Sequence, residues 1–489
     1  MSGGSEGAAV ASDTSGASGR IVRAPGGWPL LGHFLPLRRD PLGFMDSLRG
    51  QGDLVSITLG PLRFVVVCDP ALAHQVMTDL RTYDRTGPVY DRVRRSMGGG
   101  VATATYADHR RQRLIMQPAF HAGHLPGYAE VMRAQTAALL GGWRDGEVVD
   151  MVEEMFSLTT AIALRSLFST RLDPAEAGKL REAFEVFLRG SYTQIALPAL
   201  LGRLPLPANR RYQAALRQWR RQVRELIAGY RSAAGDEVGD GVGDGGAEGD
   251  DRDLMARLLA ARGEEGDGLT DEELSDQVAV LLLAGAETTS AALTWATYLL
   301  CTHPEVLGAV SAEADRVLGG DVATWEHLPE LELTGRVIQE AMRMYPPSWL
   351  LPRTTTRETR LGGHVVPAGT TVLISQYMLQ HDPSVFPEPE RFDPDRWIAL
   401  TRGRPAPTAV RQAYIPFGGG PTKCLGEQFA TAEAVLALAS VLTRWNLELR
   451  DASAAQDPDC RLVLLPRRLP VRLTTRARSE VGAGPASAA

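Results

Sequence analysis

The sequence predicts a mostly α-helical fold with small peripheral β-sheets, an α+β chain. Three observations carry this reading. From about residue 70 to 345 apolar residues recur at helical intervals, as in "ANRRYQAALRQWRRQVRELIAGYRS". Two stretches, "DLVSITLGPLRFVVVCD" (53 to 69) and "RETRLGGHVVPAGTTVLISQYM" (357 to 378), are instead rich in β-branched residues and broken by Gly or Pro. Towards the C-terminus, "LGEQFATAEAVLALASVLTRW" joins strong helix formers to an apolar stripe.

The elements follow in order. Residues 1 to 19 are small and polar and predict a disordered tail. "APGGWPLLGHF" (24 to 34) is an apolar opening segment punctuated by Pro and Gly. Residues 53 to 69 then read as two strands around a Gly-Pro turn. Helical periodicity takes over, "PAEAGKLREAFEVFLRG" included, until "IALPALLGRLPLP" (195 to 207), an apolar loop with three prolines. "AGDEVGDGVGDGGAEGDD" (234 to 251) is an acidic, Gly-rich flexible loop, because the helical patterns flanking it do not look independent. "GLTDEEL" opens the next helix, with Thr270 and Glu273 spaced as a capping box. Residues 277 to 301 are apolar enough to span a bilayer, but Glu287 near their centre would cost about 3 kcal/mol there. We therefore expect a long buried helix and no membrane span.

Composition narrows the function. Apolar content of 44% and charged content of 22% fit a globular chain. A net charge of −6 and a pI near 5.9 argue against nucleic acid or an anionic membrane as partner. The four cysteines form no CxxC pair, and the first twenty residues show no positively charged start followed by an apolar run, so we expect no signal peptide and reduced thiols in the cytoplasm.

Cys424 is the residue that asks for an explanation. It stands in "FGGGPTKCLGEQFA" (417 to 430), just before a predicted helix, where unpaired backbone N–H groups and the helix dipole favour thiolate. Gly418, Gly419, Gly420 and Gly426 let the backbone curl close to a ligand, and Pro421 stiffens the turn. A buried structural cysteine is the plain alternative for a thiol in such a place. The spacing decides otherwise: Phe417, Gly420, Cys424 and Gly426 match F-x-x-G-x-x-x-C-x-G, which resembles the haem-binding loop of the cytochrome P450 family. That resemblance implies Cys424 as the iron ligand of haem b (iron protoporphyrin IX), with Phe417, Gly418 and Gly426 shaping the loop.

Other stretches agree with that family. Around "AGAETTS" (284 to 290) the residues Leu281, Ala284, Gly285, Thr288 and Ala292 fall near one helical stripe, small enough around Gly285 for a flat cofactor or dioxygen to approach. Thr288 can bond back to the carbonyl four residues earlier or release it. By itself this is a small-residue packing face; it resembles the family's oxygen-activation motif, which implies that Ala284 and Gly285 face the haem while Glu287 and Thr288 relay protons to dioxygen. "EAMR" places Glu340 and Arg343 one turn apart, an ordinary surface ion pair when taken alone. With Arg391 of "FPEPERFDPDRW" it resembles the family's buried Glu–Arg–Arg triad, a structural lock. His109 and Arg113 of "HRRQR", otherwise a solvated basic face, and Arg353 of "LPRTT" match the family's haem propionate contacts. One departure stands out. Where the family has Arg or His two residues before the cysteine, this chain has Thr422, followed by Lys423.

The resemblance covers residues 20 to 475, leaving 476 to 489 as a second tail, and implies one triangular, mostly helical domain instead of the two or three that 489 residues suggest. "PGGWPLLGH" and "ADHRRQRLIMQPAF" (107 to 120) look like bacterial sesquiterpene oxidases of the pentalenene oxygenase kind. The expected activity is a haem-thiolate monooxygenase that hydroxylates or further oxidises a hydrophobic small molecule, a terpenoid of secondary metabolism. A fatty acid or polyketide suits such a site nearly as well. An oxygen-independent isomerase or dehydratase, and a haem sensor without catalysis, are the rivals from other classes. No flavin or iron–sulfur segment follows the haem helix, so we expect a monomer served by an external ferredoxin and ferredoxin reductase. Arg110, Arg111 and Lys423 are the basic residues on which an acidic ferredoxin would dock.

Overall fold

The computed structural model describes residues 21–168, a few positions between 178 and 190, and residues 206–236, 253–263, 266–401, 405–455, 458–460 and 462–476. The expected N-terminal tail, most of the 195–207 loop, most of the 234–251 loop and all but the first residue of the C-terminal tail lie outside the described residues. That first residue, Arg476, is tied down, donating to Asp315 Oδ2 at 2.7 Å.

Strand β1 (Val22–Arg23) runs parallel to β2 (Leu54–Leu59), which turns through Gly60 and Pro61 into antiparallel β3 (Leu62–Val67). Asp69 then caps α1 (Pro70–Thr78), accepting from the Leu72 N–H at 2.8 Å. A two-residue strand β4 (Tyr83–Asp84) leads into α2 (Gly87–Met97), α3 (Tyr106–Met116) and α4 (Leu125–Gly142). Strand β5 (Val148–Asp150) precedes α5 (Met151–Phe168), and α6 (Pro207–Asp236) follows further on. Residues 234 to 236, which the composition assigns to the acidic loop, instead complete this 30-residue helix.

Helix α7 (Asp271–Thr302) is the spine of the fold. It opens on the predicted capping box, with the Thr270 side chain on the Glu273 N–H and the Glu273 side chain on the Thr270 N–H. Among the described residues it is the one helix long and apolar enough to cross a membrane, and 67% of its apolar window is buried in the protein. Leu282, Leu293, Trp295 and Leu300 are buried along it, each contributing about 1.5–3 kcal/mol by leaving water. Trp295 stacks on Tyr345 with ring centroids 3.8 Å apart.

After α8 (Pro304–Leu318) and α9 (Glu332–Met344), strands β6 (Leu350–Thr355) and β7 (Thr371–Ser375) complete a six-stranded sheet in the order β1-β2-β3-β7-β6-β4. The turns at Gly362–Gly363 and Pro367–Gly369 fall where the sequence places them, between Thr359–Leu361, His364–Val366 and β7. Helix α10 (Glu427–Leu442) packs against α4, α7 and α9, and its middle is buried on all sides. Strands β8 (Trp445–Leu449) and β9 (Pro470–Thr475) form a three-stranded sheet with β5 in the order β8-β9-β5. The long helices therefore make the body and the sheets its margin.

Candidate active site

The loop before α10 is built to hold one side chain in place. Gly418 and Gly420 adopt left-handed φ values of +72° and +61°. A Cβ at Gly420 would sit 2.6 Å from the Met77 carbonyl oxygen, so the loop packs backbone to backbone against α1. The Cys424 N–H donates to the Phe417 carbonyl at 2.9 Å and the Lys423 N–H to Gly420 at 3.0 Å, closing the turn. Cys424 lies three residues ahead of α10, and its side chain is open on one side. Burial by the surrounding protein pushes its thiol up; the Gly426 N–H, Arg113 and Lys423 pull the other way.

In mid-α7 the burial pattern breaks. Ala284 is exposed and Leu281, Gly285 and Thr288 are half-buried, although Leu282, Ala286 and Thr289 beside them are buried. This open stripe is the small-residue face the spacing predicts, except that Ala292, its last member, is buried. Thr288 Oγ1 donates to the Ala284 carbonyl at 2.5 Å, the back-bond expected of it, and Glu287 is half-buried next to it.

Cations gather beside the cysteine loop. Arg113 on α3 donates to the Lys423 carbonyl at 2.6 Å. Arg353 on β6 donates to the Tyr90 hydroxyl at 3.0 Å and to Thr422 Oγ1 at 3.3 Å. His109 is buried on α3, and that burial, helped by the nearby Arg85, Arg113 and Arg353, pushes its imidazole down to about 3. Among the described residues no carboxylate pairs with any of these four groups. The Nε atoms of Arg85 and Arg353 are buried without a hydrogen-bond partner. Arg85 was not legible as a site residue, since "YDRTGP" carries no periodic or motif signal.

The structural lock differs from expectation in one member. Glu340 and Arg343 are fully buried and paired through two hydrogen bonds at 2.9 and 3.0 Å. The third cation is Arg396, whose Nε lies 3.1 Å from Glu340 Oε1, with Trp397 Nε1 donating to Oε2 at 3.0 Å. Arg391 points outward, exposed, and pairs with Glu388 at 3.3 Å. Its contribution is a backbone carbonyl, which accepts from Arg343 and Arg396. The turn through Glu388, at φ +48°, presents that carbonyl inward and leaves the side chain in solvent.

The basic residues assigned to docking are also engaged within the chain. Arg111 pairs with Glu273 and, at 2.8 Å, with Asp267, while Lys423 pairs with Glu427 one turn on.

Comparison with known proteins agrees with this geometry. A family model described as "Cytochrome P450" matches residues 22–473. Cyclooctatin synthase of Streptomyces melanosporofaciens is 42% identical over 430 residues, spanning 88% of this chain and 90% of that protein. Pentalenene oxygenase of Streptomyces avermitilis is 41% identical over 453 residues, spanning 93% and 97% respectively. The crystal structure of a cytochrome P450DA mutant heme domain superposes with a TM-score of 0.81 at 28% identity, covering 94% of this chain and 98% of that one.

Proposed function

The chain belongs to the cytochrome P450 family, and from that premise we propose that it oxidises a terpenoid, with Cys424 as the thiolate ligand of its haem. As a member of the family it is a haem-dependent monooxygenase that uses iron protoporphyrin IX, an organic substrate, dioxygen and an electron supply. When bound, the haem activates dioxygen so that one oxygen atom enters a C–H bond and the other leaves as water.

The residues present suit such a group. Haem is a flat apolar disc that carries two carboxylates. An open stripe of small residues in mid-α7 suits the disc, and Cys424 on a rigid loop suits its metal. The observation that carries the reading is the set of four cationic or basic groups, Arg85, His109, Arg113 and Arg353, gathered beside that cysteine with no carboxylate in an ion pair with any of them among the described residues. Burying cations without counter-charge is costly, and two propionates remove the cost.

In this reading Phe417, Gly418 and Gly426 shape the thiolate loop, and Ala284 and Gly285 line the opposite side. Thr288 gives up its bond to Ala284 and, with Glu287, carries protons to dioxygen. Glu340, Arg343 and Arg396 hold the fold behind the loop. The substrate class rests on the identity of about 41–42% with proteins named pentalenene oxygenase and cyclooctatin synthase over nearly their whole lengths. Electrons come from a ferredoxin and its reductase, and the enzyme works as a cytoplasmic monomer.

Reduction under carbon monoxide tests the ligand: a thiolate-type Soret band is expected from the wild type and lost in Cys424→Ser. Spectral titration with sesquiterpenes, diterpenes and fatty acids, followed by turnover with NADPH, ferredoxin and reductase, tests the substrate. A response to fatty acids alone would end the terpenoid assignment.

A further inference from the structure

Arg85 sits between β4 and α2, 9% exposed. Its sequence neighbour Asp84 does not neutralise it: Asp84 Oδ1 is taken by the backbone N–H groups of Arg85 and Tyr106 at 2.6 and 2.9 Å. The guanidinium has one firm hydrogen bond, from Nη1 to the Val101 carbonyl at 2.8 Å, with the Tyr90 hydroxyl alongside. Nε has no partner. Burial and the nearby Arg353 bring the group down to about 10, which still leaves it charged at neutral pH.

The protein goes to some length to keep this cation where it is. Arg94 Nη1 donates to the carbonyls of Arg85 and Thr103 at 2.7 and 2.9 Å, clamping the backbone on both sides. The Val101 N–H donates to Gln277 Oε1 at 2.8 Å, and Gln277 Nε2 in turn donates to Gln112 Oε1 at 2.9 Å. The acceptor of Arg85 is thus anchored to both α7 and α3. A buried, rigidly held, unpaired cation is unfavourable in isolation and favourable beside an anion. Its charged neighbours are Arg353 and Asp84, whose Oδ1 is already taken by backbone N–H groups, with His109 close by and neutral; Arg353 and His109 hold positions where the family's propionate contacts lie.

Thr422 is the complement of this excess charge. The residue at that position is neutral here, and its hydroxyl is occupied by Arg353. The chain is therefore one cation short in the cysteine loop and one cation in excess on the β4–α2 connection.

We propose that Arg85 binds a haem propionate, supplying the cationic contact that Thr422 cannot make. The inference rests on the haem-thiolate reading above and adds a binding residue to it. The competing role is a strut for the Val101 loop.

Arg85→Gln separates the two, because glutamine keeps a donor for the Val101 carbonyl and loses the charge. In full-length holoprotein we expect haem transfer to excess apomyoglobin to accelerate about tenfold, equivalent to about 1.4 kcal/mol, and the ferric/ferrous midpoint potential to become more negative. Adding Thr422→Arg to that variant should return the transfer rate to within about threefold of wild type, since the cation then comes from the loop. If the Gln variant accumulates poorly, Arg85→Met, which loses the donor as well as the charge, is compared with and without Thr422→Arg, since a loop cation restores a propionate contact but not the strut to Val101. Wild-type haem retention in the neutral variants, or acceleration that Thr422→Arg does not reverse, would overturn the proposal. A wild type without a thiolate-type carbon monoxide spectrum would instead overturn the haem-thiolate reading itself.

Discussion

Arg353 Nη2 donates to Thr422 Oγ1 at 3.3 Å, so the residue two positions before Cys424 anchors a cation instead of being one. The same guanidinium is held from the other side by the Tyr90 hydroxyl and the Pro352 carbonyl. The hydrogen bond to Thr422 is long, and a bond of this kind to a charged donor is worth about 1 kcal/mol. Thr422→Val should therefore loosen haem about fivefold by the apomyoglobin transfer assay, with the thiolate-type spectrum intact. Arg353→Ala, which removes the charge as well, should loosen it much further. Equal rates in the two variants would mean that Arg353 holds haem only when Thr422 anchors it.

Glu340 makes its bonds with Arg343, Arg396 and Trp397 from a fully buried position, and Arg391 is outside that network. Breaking a buried ion pair costs about 3–5 kcal/mol because the remaining charge is stranded, whereas an exposed pair is worth about 0–1 kcal/mol. Arg396→Ala should lower the thermal midpoint sharply and reduce the yield of holoprotein. Arg391→Ala should leave both almost unchanged, since its carbonyl, the part that Arg343 and Arg396 use, survives the substitution. The reverse ranking would restore Arg391 to the lock.

The contrast between these two arginines shows where sequence reading stops. Periodicity placed the long helices because their apolar stripes are local facts, and the Thr270–Glu273 capping box is legible for the same reason. The cysteine loop is legible because its glycines answer to backbone constraints close by in the chain, such as φ +61° at Gly420. Which arginine reaches Glu340 depends instead on how the chain turns at Glu388, a property of tertiary packing that a Pro-Glu-Arg-Phe string does not encode. Arg85 was silent for a related reason: its charge has meaning only beside Arg353 and His109, distant in the chain and adjacent in the fold.

Thr288 holds its proton-bearing hydroxyl on the Ala284 carbonyl at 2.5 Å, within the open part of α7. A hydroxyl that can leave this bond can move a proton without moving the backbone. Thr288→Ala should keep haem, the thiolate-type spectrum and substrate binding, and divert most of the consumed NADPH into hydrogen peroxide. The ratio of peroxide to oxygenated product, measured with saturating ferredoxin, is the readout. Unchanged coupling would remove Thr288 from the relay, and Thr288→Ser restoring the wild-type ratio would assign the effect to the hydroxyl.

Glu433 on α10 is buried, with Oε1 unpartnered, and burial holds its carboxyl well above the usual carboxylate range. Thr289 on α7 is its polar neighbour and pulls slightly the other way, but the Thr289 hydroxyl makes no well-formed hydrogen bond. The sign of the consequence follows from proton counting. Above about pH 4.5 the unfolded chain releases this proton while the folded state retains it, so the group's contribution to stability falls as pH rises towards the folded pKa. The slope is at most about 1.4 kcal/mol per pH unit for one proton. Glu433→Gln keeps the shape and has no proton to lose. Its thermal midpoint should therefore gain on wild type progressively as pH rises above about 5. Parallel profiles across that range would show that Glu433 is ionised in the folded protein and that a partner for it lies at the α7–α10 interface.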